Sequence, residues 1–251
     1  MNKNYSIKKA AAINAASKCS TIIVNLLANA ILARILTPED YGVVAIITVF
    51  STFFAVFSDM GISSGVVQNK SLTREDNIDI FSWTVYFGVI LGVLFCVASR
   101  YIAVFYENDI YIPLGSILSL SLAFNTMNSV PNGILMKEKK FVYVGIRNII
   151  SALVNFIVTL VFASFGYKAY SIVLGSVAQS IILFMMNNKD IHLSFRFKPK
   201  WKSMSKIFGF SMFQFAYMFV NYFSRNLDNL LAGKLLGAEQ LGYYDKAYKL
   251  M

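Results

Sequence analysis

Charge is scarce in this chain. Only 14% of its residues are charged, against about 25% in ordinary soluble domains, while 57% are apolar. The apolar residues run in long blocks rather than in a half-apolar helical pattern. Blocks of about 20 residues are long enough to cross a ~30 Å hydrocarbon layer. A soluble globular domain is thereby excluded. The fold class that follows is an all-α integral membrane protein, a polytopic helix bundle.

Further absences narrow the chemistry. Histidine occurs once, at His192, and cysteine only at Cys19 and Cys96, both inside apolar blocks. The two thiols read as small core hydrophobes, not as a disulfide or a metal pair. No metal-ligand spacing, nucleophile elbow or glycine-rich phosphate loop is present. The sequence therefore calls for no metal, no cofactor and no enzyme chemistry. The basic start (Lys3, Lys8, Lys9) precedes a block too long for a signal-peptide core and without a small-residue cleavage site, so it reads as an uncleaved first helix. No Pro-, Gly- or Ser-rich stretch marks a domain linker.

What is present is a run of spans near residues 11–36, 42–67, 81–105, 112–136, 142–165, 168–187 and 206–236, with another opening near 241. The expected organisation is a six-helix lobe over 1–190, a basic connection over 191–205, and the first helix and beginning of the second helix of another lobe over 206–251. The net charge of +10 falls in alternate loops. Lys70 and Arg74 share one, Lys137, Lys139 and Lys140 the next, and Lys189, Arg196, Lys198, Lys200, Lys202 and Lys206 the last. The intervening TPED, YENDI and GAEQ turns and the short turn near Gly166–Lys168 hold no basic residue beyond Lys168. Lysine and arginine collect on the cytoplasmic side, which predicts a cytoplasmic N-terminus. The positive charge then reflects topology and contact with anionic lipid headgroups, not nucleic-acid binding.

The chain also repeats itself. LARILTPEDYGVV at 32–44 returns as AGKLLGAEQLGYY at 232–244, with one offset of 200 and no gaps. Six helices lie between the copies, so the two are parallel and related by an axis along the membrane normal, an arrangement found in transporters. Helix one carries Asn14, Lys18, Thr21, Asn25 and Asn29 on one stripe. The helix at 206–236 carries Gln214, Asn221, Arg225 and Asp228, with Asn229 at its edge, at nearly the same places after subtracting 200. Further stripes are Ser121, Asn125, Asn128 and Asn132 beside Pro131, a kink candidate, and Arg147, Ser151, Asn155 and Thr159. Asp59 stands beside Gly61 and Gly65, where its helix could bend.

Polar groups facing hydrocarbon are costly unless partnered or wet. Such stripes either hydrogen-bond between packed helices or line a wet cavity, and two equivalent stripes with charges favour the cavity. Arg225 lies roughly 17 Å from the outer end of its helix at ~1.5 Å per residue, with Asp228 one turn on as a partner. That leaves a structural pair or a cavity role. Lys18 and Arg147 can each snorkel to the surface or enter the cavity. Asp59 is either a partnered helix-breaking residue or a cavity group. Arg34, Arg100 and Lys234 read as anchors at the outer interface.

ILARILTPEDYG (31–42), FSDMGISSGVVQ (57–68), NGILMKEKKFVYVGIRNIIS (132–151), FGYKAYSIVLG (165–175) and RNLDNLLAGKLLGAEQLGYYDKAYKL (225–250) resemble polysaccharide flippases. These are the Wzx-type members of the multidrug/oligosaccharidyl-lipid/polysaccharide exporter superfamily. The resemblance implies two six-helix lobes around a cationic cavity. It implies alternating access that carries an undecaprenyl-pyrophosphate-linked oligosaccharide across the cytoplasmic (inner) membrane, coupled to an ion gradient. It implies membrane lipids, a polysaccharide polymerase and chain-length proteins as partners. Carried onto this chain, the substrate cavity would involve Arg225, Lys18, Asn25, Arg147, Asn221 and Asp228, with Asp59 and Asp228 as ion-coupling candidates. A drug/cation antiporter of the same superfamily, or a membrane enzyme of polysaccharide assembly, is the alternative. The first would call for an anionic cavity, and only Asp59 and Asp228 are deep acids. The second repeat stops one helix in, so the chain is expected to be an N-terminal fragment of a protein whose matching lobe would end near about residue 400.

The loop charges set a testable topology. Single cysteines at positions 39, 108 and 239 should react with an impermeant thiol reagent in intact cells, and those at 70, 139 and 200 only after permeabilisation. Labelling of 200 but not 108 from outside would reverse the topology.

Overall fold

Thr37 and Thr73 each precede an Asp by three residues, and each pair starts a helix. The Thr37 hydroxyl and Asp40 carboxylate cap each other's backbone N–H groups, and Thr73 and Asp76 do the same. Both are capping boxes, the first followed by Pro38 at the opening helical position. In the computed structural model the described residues are 7–237 and 239–243. Side chains are described from residue 17 onward, with those of 225, 226, 228–230, 232 and 233 outside the described set. Arg225, Asp228 and Asn14 therefore lie outside the described side chains.

The elements are α1 (Ile7–Leu32), α2 (Pro38–Asp59), α3 (Ile62–Gln68), α4 (Arg74–Tyr106), α5 (Tyr111–Lys137), α6 (Phe141–Ser164), α7 (Ala169–Ile191) and α8 (Trp201–Leu236). Together α2 and α3 make one span, broken where Met60 and Gly61 turn left-handed at φ 37° and 70°. Glycine adopts that conformation without a Cβ clash, so the bend expected beside Asp59 is a real break. At Pro131, by contrast, α5 continues as one helix to Lys137. The start of α8 at Trp201 shortens the connection expected over 191–205 to residues 192–200.

Pro38–Gln68, α4, α6 and α7 are long and apolar enough to cross a membrane. The polar stripes sit on the other three long helices, α1, α5 and α8, as well as on α6. The chain is a multi-pass helical membrane protein.

The helices pack in the order α4–α5–α7–α6–α1, while α2 and α3 lie between α5 and α8. One apolar core joins Ile46, Ile47, Phe95, Tyr111, Leu114 and Val173. Another joins Ile62, Val66, Ile80, Phe81, Val130 and Ile207. Helix α8 docks on α2 through an aromatic seam of Phe53 and Phe57 against Phe215, Phe219, Tyr222 and Phe223. The Tyr222 hydroxyl donates to the Val49 carbonyl at 3.0 Å.

Both ends of α8 are also tied to α4. At the basic end, Lys206 meets Asp76 at 2.7 Å and Arg196 meets Asp79 at 2.7 Å and also Glu75. The Ser203 hydroxyl donates to Asp79 at 2.9 Å. Glu75 and then Asp79 hold the Arg196 guanidinium above its ordinary pKa. Two cations expected to meet headgroups are thus held by α4. At the other end Lys234, expected to be a membrane anchor, donates to the Phe105 carbonyl at 2.5 Å and lies 4.7 Å from the centre of its ring. The two copies of the repeat also touch. A Cβ on Gly242 would lie 3.2 Å from the Gly42 nitrogen and collide with the Pro38 carbonyl.

Asp79 is only 2% exposed, whereas Glu75 is 70% exposed. Replacing Asp79 with Ala should destabilise the purified protein by about 1–3 kcal/mol, because a buried charge-assisted network loses its acceptor. Glu75→Ala should cost about 0–0.5 kcal/mol. Thermal unfolding in one detergent checks the contrast, and equal shifts would contradict it.

Candidate functional site

One glycine lets α1 approach α6, and another lets α7 approach α6. A Cβ on Gly145 would lie 3.0 Å from Ser17 of α1, and one on Gly175 of α7 would lie 2.9 Å from the Asn155 carbonyl. Between these helices runs a polar furrow in two parts. Ser17, Lys18, Thr21, Asn148, Ser151 and Gln179 line a hollow of ≈ 370 Å³. Asn25, Asn29, Tyr41, Asn155 and Thr159 line a smaller one of ≈ 130 Å³. Asn155 donates to Gln179 at 2.7 Å and accepts from Thr159 at 3.1 Å, so part of the α6 stripe also joins helices. Lys18 and Asn25 are exposed along the furrow, in different hollows.

A second cavity, of ≈ 430 Å³, opens at the break between α2 and α3. Its wall is Ala55, Ser58, Asp59, Ser63, Ser64, Asn125, Asn128, Ser129 and Asn132. Asp59 is half-buried there, with the Ser63 backbone N–H and the Ser129 hydroxyl as hydrogen-bonding neighbours. Ser121, the fourth member of the α5 stripe, is instead buried in a 2.6 Å hydrogen bond with Ser180 of α7.

Arg147 stands between the two regions. It is six residues past Phe141 (147 − 141), the first residue of α6, about 9 Å along the axis. It does not snorkel, being 4% exposed. Its guanidinium donates to Asn132 at 2.5 Å and to Asn187, and Asn187 in turn donates to Asn128. Its Nε is buried without a partner among the described residues. Arg147 therefore braces the wall of the Asp59 cavity from behind, instead of standing in the furrow beside Lys18. Asn221 is half-buried on α8 and belongs to none of the three hollows.

Sequence reading had not singled out Gln179 and Asn187. They lie eight residues apart on α7 (187 − 179), close to two helical turns, and that spacing was the available signal. Ser63 and Ser129 were hidden by their small size, since hydroxyls are common in membrane helices. Among the described residues no cluster of His, Cys, Asp and Glu could hold a metal.

Arg147→Met should destabilise the protein by about 2–4 kcal/mol, because the Asn132 and Asn187 carbonyls lose their donor away from water. Arg147→Lys should recover less than half of that loss, as one ammonium cannot replace a two-armed fork. Denaturation of the two variants in detergent checks the order, and a neutral Arg147→Met would refute the bracing role.

The chain matches the family described as "Polysaccharide biosynthesis protein" over residues 31–251. It is 28% identical to the teichuronic acid biosynthesis protein TuaB of Bacillus subtilis (strain 168) over 93% of this chain and 48% of that protein. It is 27% identical to the lipopolysaccharide biosynthesis protein WzxC of Escherichia coli (strain K12) over 93% of this chain and 49% of that protein. The succinoglycan biosynthesis transport protein ExoT of Rhizobium meliloti (strain 1021) is 21% identical over 92% of this chain and 47% of its own length. The chain thus spans about half the length of the curated relatives it matches. No solved structure matches it significantly. With residues 31–251 of this multi-pass helical bundle matched, the chain belongs to the polysaccharide biosynthesis protein family.

Proposed function

We propose that this chain forms one lobe, and part of the facing lobe, of a flippase. The transporter would move an undecaprenyl-pyrophosphate-linked oligosaccharide across the cytoplasmic membrane by alternating access, N-terminus inside, for surface polysaccharide assembly. The observation that carries the reading is the furrow: amides and hydroxyls of α1, α6 and α7 line two hollows within the bundle, with Lys18 as an exposed cation. Amides and hydroxyls suit sugar hydroxyls, which need both donors and acceptors. A pyrophosphate needs fixed positive charge in a sheltered place, and Lys18 with Arg225 supplies it.

Asn25 and Asn221 contact the glycan, Arg147 supports the wall, and Asp228 is the carboxylate for ion coupling. The name of the relative ExoT, a succinoglycan biosynthesis transport protein, supports a transporter over an enzyme of assembly. A polysaccharide polymerase and chain-length proteins would act on the delivered product.

In cells that depend on this protein for surface polysaccharide, Arg225→Ala should abolish the polymer at normal protein levels. Lipid-linked oligosaccharide should accumulate in the inner leaflet. Arg225→Lys should restore it only partly, since lysine offers a point charge and no bidentate fork. If Arg225 and Asp228 were merely a structural pair, neutralising both would restore the polymer, because neither would leave a stranded charge. Normal polymer in the double mutant would refute the pyrophosphate role.

A further inference from the structure

The guanidinium of Arg147 can only donate hydrogen bonds. That fact orients every amide attached to it. Asn187 and Asn132 must turn their carbonyl oxygens to the guanidinium. The Asn187 NH₂ then donates to the Asn128 oxygen, and the Asn132 NH₂ donates to the Ser63 hydroxyl oxygen at 3.4 Å. The groups left over are the NH₂ of Asn128 and the hydroxyl hydrogen of Ser63, and both residues line the ≈ 430 Å³ cavity beside Asp59. One buried cation thus turns one wall of the cavity into a set of hydrogen-bond donors.

Asp59, on the α2 side of the same cavity, is an acceptor with about four lone-pair positions when ionised. The Ser63 N–H and the Ser129 hydroxyl are its hydrogen-bonding neighbours, and the carboxylate lines the cavity. Asn125, exposed in the cavity wall, turns its NH₂ to Ser121 at 3.4 Å and keeps its carbonyl oxygen available. The cavity therefore offers both acceptors and donors, and its volume of ≈ 430 Å³ lies within the ~300–1,000 Å³ of small-molecule sites.

Three ligand classes fit this pattern unequally. Phosphate would face the Asp59 carboxylate. A bare cation would find the Asn128 and Asn132 oxygens turned away toward the Arg147 relay. A sugar ring fits, because adjacent hydroxyls can donate to a carboxylate while the oxygens of that diol accept from amide and hydroxyl hydrogens. We propose that the cavity bounded by Asp59, Ser63, Asn125 and Asn128 is a subsite for one uncharged hexopyranose residue of the glycan. Asp59 receives two neighbouring hydroxyls, Asn128 and Ser63 donate to the sugar oxygens, and Arg147 is a positioning residue. This rests on the flippase reading for its substrate. It assigns Asp59 to sugar binding and leaves ion coupling to Asp228.

The test uses the purified full chain in lipid nanodiscs with methyl α-D-glucopyranoside and methyl α-D-mannopyranoside as probes. Saturation-transfer NMR should report binding with a Kd of about 1–10 mM, the strength of a few hydrogen bonds in a wet site. Asp59→Asn and Asn125→Ala should each weaken it at least about threefold, Asp59→Asn by about tenfold (~1.4 kcal/mol). Asn125 is exposed, so its variant folds whatever the fate of the other. Inorganic pyrophosphate should not compete. The subsite is refuted by no transfer to either probe at about 50 mM, by unchanged affinity in both variants, or by pyrophosphate displacing the sugar. A refutation here with the Arg225 behaviour intact leaves the flippase standing. Arg225→Ala cells that lose the polymer without accumulating lipid-linked oligosaccharide would strike at the flippase reading itself.

Discussion

A polar group inside hydrocarbon must find a partner in the protein or in water, and most of this structure follows from that requirement. Arg147 is its clearest case. The residue sits within the bundle at 4% exposure with no carboxylate against it in its described contacts. Amides carry its hydrogen bonds outward instead, from α6 to α7 and α5. Three helices are thereby fixed in register around one fork, and the cavity wall on α5 is oriented as a consequence. An aliphatic core would hold the same helices together but would leave Asn128 and Asn132 free to rotate.

The same requirement divides the lobe. Where α2, α4, α5 and α7 meet around Ile47, Phe95, Tyr111 and Leu114, packing is apolar and aromatic. Gly145 draws α1 to α6 and Gly175 draws α7 to α6, close enough for polar side chains to reach one another, and what cannot be paired lines a hollow. The α2–α3 break belongs to this pattern. Gly61 and Gly65 admit α8 so closely that a Cβ on Gly61 would lie 2.7 Å from the Cβ of Gln214, and the Ser211 hydroxyl donates to the Gly61 carbonyl at 3.3 Å. Helix α8 is then held at one end by Asp76 and Asp79, in the middle by the aromatic seam, and at the other by Phe105. Helix α8 is thus fastened to α2 and α4 along its length, and the Gly42–Gly242 contact brings the two copies of the sequence repeat to touching distance.

Much of the fold could be read from residues. Block length gave the spans, and Asp59-Met60-Gly61 marked the break, because left-handed backbone needs residues such as Gly61. The Thr-x-x-Asp pairs, by contrast, start α2 at Pro38 and α4 at Arg74, earlier than the spans expected from 42 and 81. The polar stripes of α1, α5 and α6 were legible from spacing alone, since one helix face recurs every three or four residues. Their division into structural bonds and cavity wall was not. Ser121 bonds Ser180, while Asn125, one turn away on the same stripe, opens to the cavity. Nothing local distinguishes them, because the difference lies in which helix stands opposite.

The sequence by itself determined a membrane-spanning helical bundle and the offset of 200, because these depend on composition and period along one chain. Only the tertiary structure decided the fate of the charges. Arg147 could have reached for the surface, yet Asn132 and Asn187 come from helices distant in sequence and hold it inside. Arg196 and Lys206 could have met lipid headgroups, yet Glu75, Asp76 and Asp79 lie more than a hundred residues away and claim them. A side chain's periodicity says which face it shares. Its partners are set by the packing of other helices, and for a charge in a membrane the partner decides whether it snorkels, braces or binds.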